Sequence, residues 1–371
     1  MKKIILPIII LFIGLNLSAQ QNYKFKNVID VEASSVKSQD HTGTCWSFST
    51  SSFIESEIFR LTGKQVDVSE MFTVRNTYDD KAWNYVMRQG KTQLSEGGLA
   101  HDVINSIRDN GLVPELVFSG VKIDKKVYNH AKIVPAIKEI LDNYIKNDKH
   151  SKYPDWKKEI AEILDSEIGK TPSKFKYEGK EYTPQAFAKS LKIDPSNYVT
   201  ITSFTQVPFY RNFVLNIPDN FSNGSMFNVP LDEMVNTVKH ALKNGYTVAL
   251  DVDVSEIDFS AKYGLAVLPL HKEDEEKALT TPVKEKEVSQ EFRQQEFENY
   301  DTTDDHLMHI TGMVEDQNGN LYFKVKNSWG SGSARVGNKG YIYMSIPYFK
   351  LKAISVLLHK EALSEDLKKR M

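Results

Sequence analysis

Gln39-Asp40-His41-Thr42-Gly43-Thr44-Cys45-Trp46-Ser47-Phe48 is the stretch on which the fold turns. A polar loop containing one glycine gives way at Cys45 to a run with helical character. Residues 46–54 carry no charge, and Ser47, Ser49, Thr50, Ser51 and Ser52 are interspersed with Phe48, Phe53 and Ile54. A helix of that composition is buried on nearly all sides. A thiol in its first turn feels the positive end of the helix dipole and free backbone N–H groups, both of which favour thiolate. Upstream, Gln39 can fold its amide back toward the sulfur, and with the Cys45 N–H it would form an oxyanion hole. Cys45 is the only cysteine of the chain, so no intrachain disulfide can form. An isolated cysteine is most often a small buried hydrophobe; the neighbours of this one argue for a nucleophile.

A thiolate needs a proton partner. Among the nine histidines, His309 opens an apolar run, His309-Ile310-Thr311-Gly312-Met313-Val314, followed by Asp316-Gln317-Asn318-Gly319-Asn320 and then Leu321-Tyr322-Phe323-Lys324-Val325-Lys326-Asn327. Apolar runs on either side of Asn-Gly predict a hairpin. Folding about Asn318-Gly319 brings His309 within one register step of Asn327, so imidazole and carboxamide can meet across the ladder. Asn327 would accept from one imidazole nitrogen and leave the other for the sulfur. His306 is the rival base, but its place just after Asp304-Asp305 puts it outside the predicted strand, and His309 is preferred. His101, His240 and His359 read as surface or structural residues.

The Gln39 to Trp46 string and Asn327-Ser328-Trp329-Gly330 together resemble the active-site segments of papain-superfamily cysteine peptidases, in the family's order. Where most such chains carry a further, disulfide-bonded cysteine inside the first loop, this one has Thr42, which resembles the bleomycin hydrolase and aminopeptidase C branch. The resemblance implies an α+β, papain-like two-lobed fold, a helical lobe plus a sheet-rich lobe, with a helical insertion. It implies peptide hydrolysis through a thioacyl-enzyme, with Cys45 as nucleophile, Gln39 in the oxyanion hole, His309 as base and Asn327 orienting it. Trp329 would shield the His–Asn bond from water. Gly97 and Gly98, in Ser95-Glu96-Gly97-Gly98, would line the cleft, where a missing side chain lets substrate backbone approach. Such a reaction requires no metal and no organic cofactor.

The chain divides into a signal peptide at residues 1–19, a lobe with the nucleophile at 20–122, a branch-specific insertion at 123–230 and a sheet-rich lobe at 231–371. Within the insertion, residues 127–165 are rich in lysine and glutamate with helical apolar spacing at Ile137, Ile140, Leu141 and Tyr144. Gly169-Lys170-Thr171-Pro172, Tyr182-Thr183-Pro184 and Asn228-Val229-Pro230-Leu231 extend the likeness to the bleomycin hydrolase branch. Leu231, Met234, Val235, Val238, Ala241 and Leu242 mark one face of an amphipathic helix, and a strand over residues 247–254 follows. Asp251 and Asp253 fall on that strand's other face, and no metal is assigned to them.

The segment 1–19 has Lys2 and Lys3, an apolar stretch over 4–13 and Leu17-Ser18-Ala19 as a cleavage end, so export with a mature start at Gln20 is expected, to the periplasm or beyond the cell. The hydrophobic and charged fractions, 40% and 26%, are those of ordinary globular domains, and the formal charge of -2 argues against nucleic acid as a partner. Peptide substrates are the partners expected. The resemblance further implies a homo-oligomer, a hexameric ring, and a C-terminal arm that makes the enzyme an aminopeptidase by offering a carboxylate to the substrate's amino terminus. Here residues 361–370 form only a short polar helix before Met371. Two alternatives therefore stand beside the aminopeptidase: a cysteine endopeptidase with an open cleft, and a catalytically silent papain-fold binding protein.

Overall fold

The structure, a computed structural model, describes residues 22–121, 127–147 and 155–371. The expected signal peptide and the start of the insertion at 123 lie outside the described residues. Among those described, no helix is long and apolar enough to cross a membrane.

The uncharged run after Cys45 folds as the helix Cys45–Thr62, buried continuously from Cys45 to Ile58. The helices Glu70–Met87 and Ala100–Asn110 pack beside it. Ser69 starts the first of them by accepting the Phe72 N–H at 3.0 Å, a side-chain cap for an otherwise unpaired donor. The insertion adds two further helices to this lobe, Ile133–Lys146 and Trp156–Glu167, which bury Ile137, Leu141, Ile160 and Leu164 and leave their lysines and glutamates in water. The later part of the insertion behaves differently. Its strands Tyr198–Thr202, Asn212–Val214 and Ser225–Asn228 join the main sheet.

That sheet is centred on the strand His306–Glu315. Val248–Val252 pairs with it antiparallel on one side, and Leu321–Lys326 pairs on the other through the Asn318-Gly319 hairpin. Ala353–His359 continues the sheet beyond Val248–Val252, and Tyr341–Ser345 continues it beyond Leu321–Lys326. Side chains alternate across a strand, and the two cores follow that alternation. Leu307, Ala249 and Leu357 belong to the core of the helical lobe, whereas Met308, Leu250 and Val356 belong to the core under the helix Leu231–Lys243. The helix Cys45–Thr62 lies against the first of these faces: Ser49 Oγ donates to the Leu307 carbonyl, and Phe53 meets the His309 ring edge-on.

Candidate active site

Cys45 opens into a cleft lined by Gln39, Gly43, Glu96, Gly97, Asp219, Asp304, Asp305, His306 and Trp329. Five segments converge there: the Cys45 helix with its preceding loop, the 93–97 loop, the insertion at 218–219, the head of the His306 strand and the chain at Trp329.

The structure does not bring the expected His309 and Asn327 together. His306 Nε2 lies 2.7 Å from Asn327 Oδ1, whereas His309 is turned away from both Asn327 and the cleft. His309 pairs in register with Lys326 and is fully buried, its Nδ1 2.9 Å from Ser52 Oγ. The geometry follows from element rises. From Cys45 to Ser52 a helix climbs about 10 Å, and from His306 to His309 a strand runs about 10 Å. Since Ser52 meets His309 and Ser49 meets Leu307, the strand's first residue comes level with Cys45. An odd spacing of three also puts the two histidines on opposite faces. His306 escaped the predicted strand because Asp304-Asp305 precede it, yet it pairs with Val252 and is the strand's first residue.

Asn327 leaves the ladder just after Lys326, its N–H donating to Gly340 O at 3.0 Å. Its Oδ1 also accepts the Ser328 N–H at 2.7 Å, which fixes the oxygen rather than the amide nitrogen toward His306. A carboxamide oxygen only accepts, so His306 carries its proton on Nε2 and keeps Nδ1 as a lone pair. The Trp329 ring lies 4.8 Å from the imidazole, centroid to centroid, and Phe259 meets Trp329 at 6.1 Å.

Gln39 is held from two sides. Its Nε2 donates to Thr42 O at 2.7 Å, and its Oε1 accepts from Ser328 Oγ at 2.6 Å. The Ser328 hydroxyl therefore fixes which end of the amide faces the loop, and the chain on either side is clasped by Gln39 N–H to Ser328 O at 2.9 Å and Gly330 N–H to Lys37 O at 3.0 Å. Ser328 is a residue that sequence reasoning missed; its only signal was its place between Asn327 and Trp329.

Gly97 lines the cleft and Gly98 does not. A Cβ on Gly97 would overlap the Asp219 carboxylate, and one on Gly98 would press on the Trp46 ring at 3.1 Å. Both glycines thus serve close approach by other side chains. Trp46 Nε1 donates to Glu96 O at 2.9 Å, and buried Lys81 donates to Ser95 O at 2.9 Å and to Gly97 O, so the loop is pinned from beneath.

Electrostatically the cleft is acidic. Glu96, Asp219, Asp304 and Asp305 line it, and among the described residues no lysine or arginine does. Burial pushes the Cys45 thiol up to about 12, with Asp219 and Asp304 adding to the rise and backbone hydrogen bonds from Leu307 and Trp46 opposing it. Burial lowers His306 to about 4, against the Asn327 hydrogen bond. Burial thus works against both charged forms, the Cys45 thiolate and the His306 imidazolium. Asp251, predicted on the other face of its strand, is buried against Asp304; burial and then the Asp304 charge push Asp251 up, and burial and then the Asp219 charge push Asp304 up. Glu55, Asp67 and Glu70 form a second carboxylate group, occupied by the Lys37 ammonium, 2.7 Å from Glu70.

Met371 ends the helix Glu365–Arg370 in a different cavity, lined by His101, Asp194, Lys360 and Lys368. It is not among the residues lining the Cys45 cleft.

Residues 91–371 match the Peptidase C1-like family, and residues 22–153, which include Cys45, match the Papain family cysteine protease. Over 91% of its length the chain is 23% identical to Aminopeptidase G of Lactobacillus delbrueckii subsp. lactis, covering 83% of that protein. It is 24% identical to Aminopeptidase E of Lactobacillus helveticus, over 91% of this chain and 84% of the other. The fold is similar to the crystal structure of pepw from Lactobacillus rhamnosis HN001, with a TM-score of 0.68 and 18% identity over 93% of this chain and 84% of that one.

Proposed function

Since the chain belongs to the Peptidase C1-like family and is a cysteine-type peptidase, we propose that it removes residues from the amino terminus of peptides through a thioacyl-enzyme on Cys45. One observation carries the assignment of roles: His306 Nε2 at 2.7 Å from Asn327 Oδ1, in the cleft into which Cys45 opens.

Cys45 Sγ attacks the scissile carbonyl carbon while its proton passes to His306 Nδ1. The carbonyl oxygen becomes an oxyanion held by the Gln39 amide and the Cys45 N–H. Collapse breaks the C–N bond as His306 returns the proton to the leaving amine, and a thioester remains. Water then attacks the thioester, giving a proton to His306. The second collapse expels Cys45, which recovers that proton as the new carboxylic acid leaves. Asn327 keeps the imidazole in the required tautomer throughout, and Trp329 screens their hydrogen bond.

The amino-terminal restriction is supported by the similarity to proteins named aminopeptidases and by the acidic lining of the cleft, which suits a substrate ammonium. The deciding assay compares an aminoacyl anilide with its N-acetyl counterpart. The free amine is expected to be cleaved and the acetylated one spared, with Cys45→Ala abolishing turnover; equal cleavage of both would make the enzyme an endopeptidase. Export through residues 1–19 is part of the same proposal, and a cell-associated protein retaining Met1 would contradict it.

A further inference from the structure

We infer that Asp219, contributed by the insertion, is the carboxylate that receives the α-ammonium of the substrate and closes the cleft behind it, a role that rests on the peptidase reading of the cleft.

Asp219 sits between the strands Asn212–Val214 and Ser225–Asn228 and lines the Cys45 cleft with Pro218. Its Oδ1 accepts from Gln93 Nε2 at 2.9 Å and Ser95 Oγ at 3.3 Å. Its backbone N–H approaches the Asp304 carboxylate. The carboxylate is therefore built in, held by the 93–97 loop on one side and by the head of the His306 strand on the other. Its Oδ2 lies over Gly97, where any Cβ would collide with it, and takes no side-chain donor among the described residues.

Each of the other lining carboxylates has a partner within the protein, although Asp304 Oδ2 is left without a hydrogen-bond donor among the described residues. Glu96 accepts the Gly43 N–H at 2.6 Å, Asp304 lies against Asp251, and Asp305 accepts from Thr303 Oγ1 at 2.8 Å. Lys81, the nearest cation, is buried beneath the 93–97 loop with its ammonium on the Ser95 and Gly97 carbonyls. Among the described residues, no lysine or arginine lines the cleft to meet Asp219 from the open side. A half-buried carboxylate left facing a cleft in this way is stabilised by a charge-assisted bond from a ligand ammonium.

The same contact has a steric side. A peptide running along the Gly97 backbone would need the space that Asp219 fills. The bound chain must stop there, and what a peptide presents at its stop is its amino group. A lysine side chain offers the same ammonium, so the two sources need separate arms.

The test measures binding by calorimetry to the Cys45→Ala protein, using alanyl-alanine amide, its N-acetyl form and N-acetyl-lysine amide. The free-amine dipeptide is expected to bind at least about tenfold more tightly than the acetylated one, the range of a charge-assisted hydrogen bond. Adding Asp219→Asn, which keeps the side-chain shape, should abolish that discrimination. Gly97→Ala should also abolish it, by displacing Asp219 without changing any charge. Equal binding of free and acetylated dipeptide to Cys45→Ala, or discrimination that survives both variants, overturns the inference. Asp219-dependent binding of N-acetyl-lysine amide without discrimination between the dipeptides overturns the α-amino assignment. Asp219-dependent discrimination without turnover by the Cys45-containing protein would sustain this inference and remove the peptidase chemistry instead.

Discussion

Ser328 Oγ donates to Gln39 Oε1 at 2.6 Å, and Ser328 is also the neighbour whose N–H fixes the Asn327 oxygen toward His306. One serine thereby links Gln39, the proposed oxyanion donor, to Asn327, the proposed orienting partner of the base, and ties the loop before the Cys45 helix to the chain after the hairpin.

Gln39→Ala should lower kcat by about 10²–10³, the loss typical of one oxyanion donor, with little change in KM. Ser328→Ala frees the Gln39 amide to turn over, and should cost about tenfold in kcat, an indirect loss smaller than that of the donor itself. Steady-state kinetics on the two variants checks the order. A Ser328→Ala enzyme slower than Gln39→Ala would show that the serine acts by another route.

Asp219 and Asp304 both raise the Cys45 thiol. A nearby negative charge disfavours thiolate, so removing one favours it. Asp219→Asn should therefore accelerate alkylation of Cys45 by iodoacetamide at pH 7, by about 3–10-fold for a partly screened charge. The gain should shrink as pH rises toward the thiol's own titration. An unchanged or slower rate would place the two groups out of electrostatic reach.

The Asp251 and Asp304 pair predicts a pH dependence of stability. Asp304 is raised to about 7, by burial first and the Asp219 charge next, and Asp251 well above the usual carboxylate range, by burial first and the Asp304 charge next. In the unfolded chain both ionise near about 4. The folded state thus holds extra protons between about pH 4 and 7, and the pair's contribution is fully present below that window and lost as pH rises through it. Glu70, Glu115 and Asp258 act in the same direction, so the comparison is with a variant. Asp251→Asn should raise Tm at pH 8 by about 3 °C or more relative to wild type and change it little at pH 5. Parallel Tm profiles for the two proteins would contradict the shared-proton account.

Much of this site is legible in the chain because its signals are local. The uncharged run after Cys45 can only be a buried helix, and Asn318-Gly319 between apolar runs can only be a hairpin. The choice between His306 and His309 is not local. It depends on how far the strand extends past its apolar core, which the pairing of His306 with Val252 decides, and on which strand position comes level with Cys45. Asp219 was invisible for a similar reason. It lies in an irregular loop of the insertion, distant in sequence from the rest of the cleft apart from its neighbour Pro218, and comes within close approach of Gly97. The glycines themselves were legible as a place of close approach, but the partner in that approach is a side chain of the protein.

The most direct test of the account compares His306→Ala with His309→Gln, the latter retaining a hydrogen-bonding group for Ser52. With kcat/KM measured on a free-amine anilide and folding checked by circular dichroism, His306→Ala should lose about 10²–10⁴-fold, the contribution of a general acid–base. His309→Gln should stay within about tenfold of wild type while its Tm falls, as expected for a change at a buried hydrogen bond. A folded His306→Ala enzyme with near-normal turnover, beside a folded His309→Gln enzyme without it, would contradict the assignment of the base.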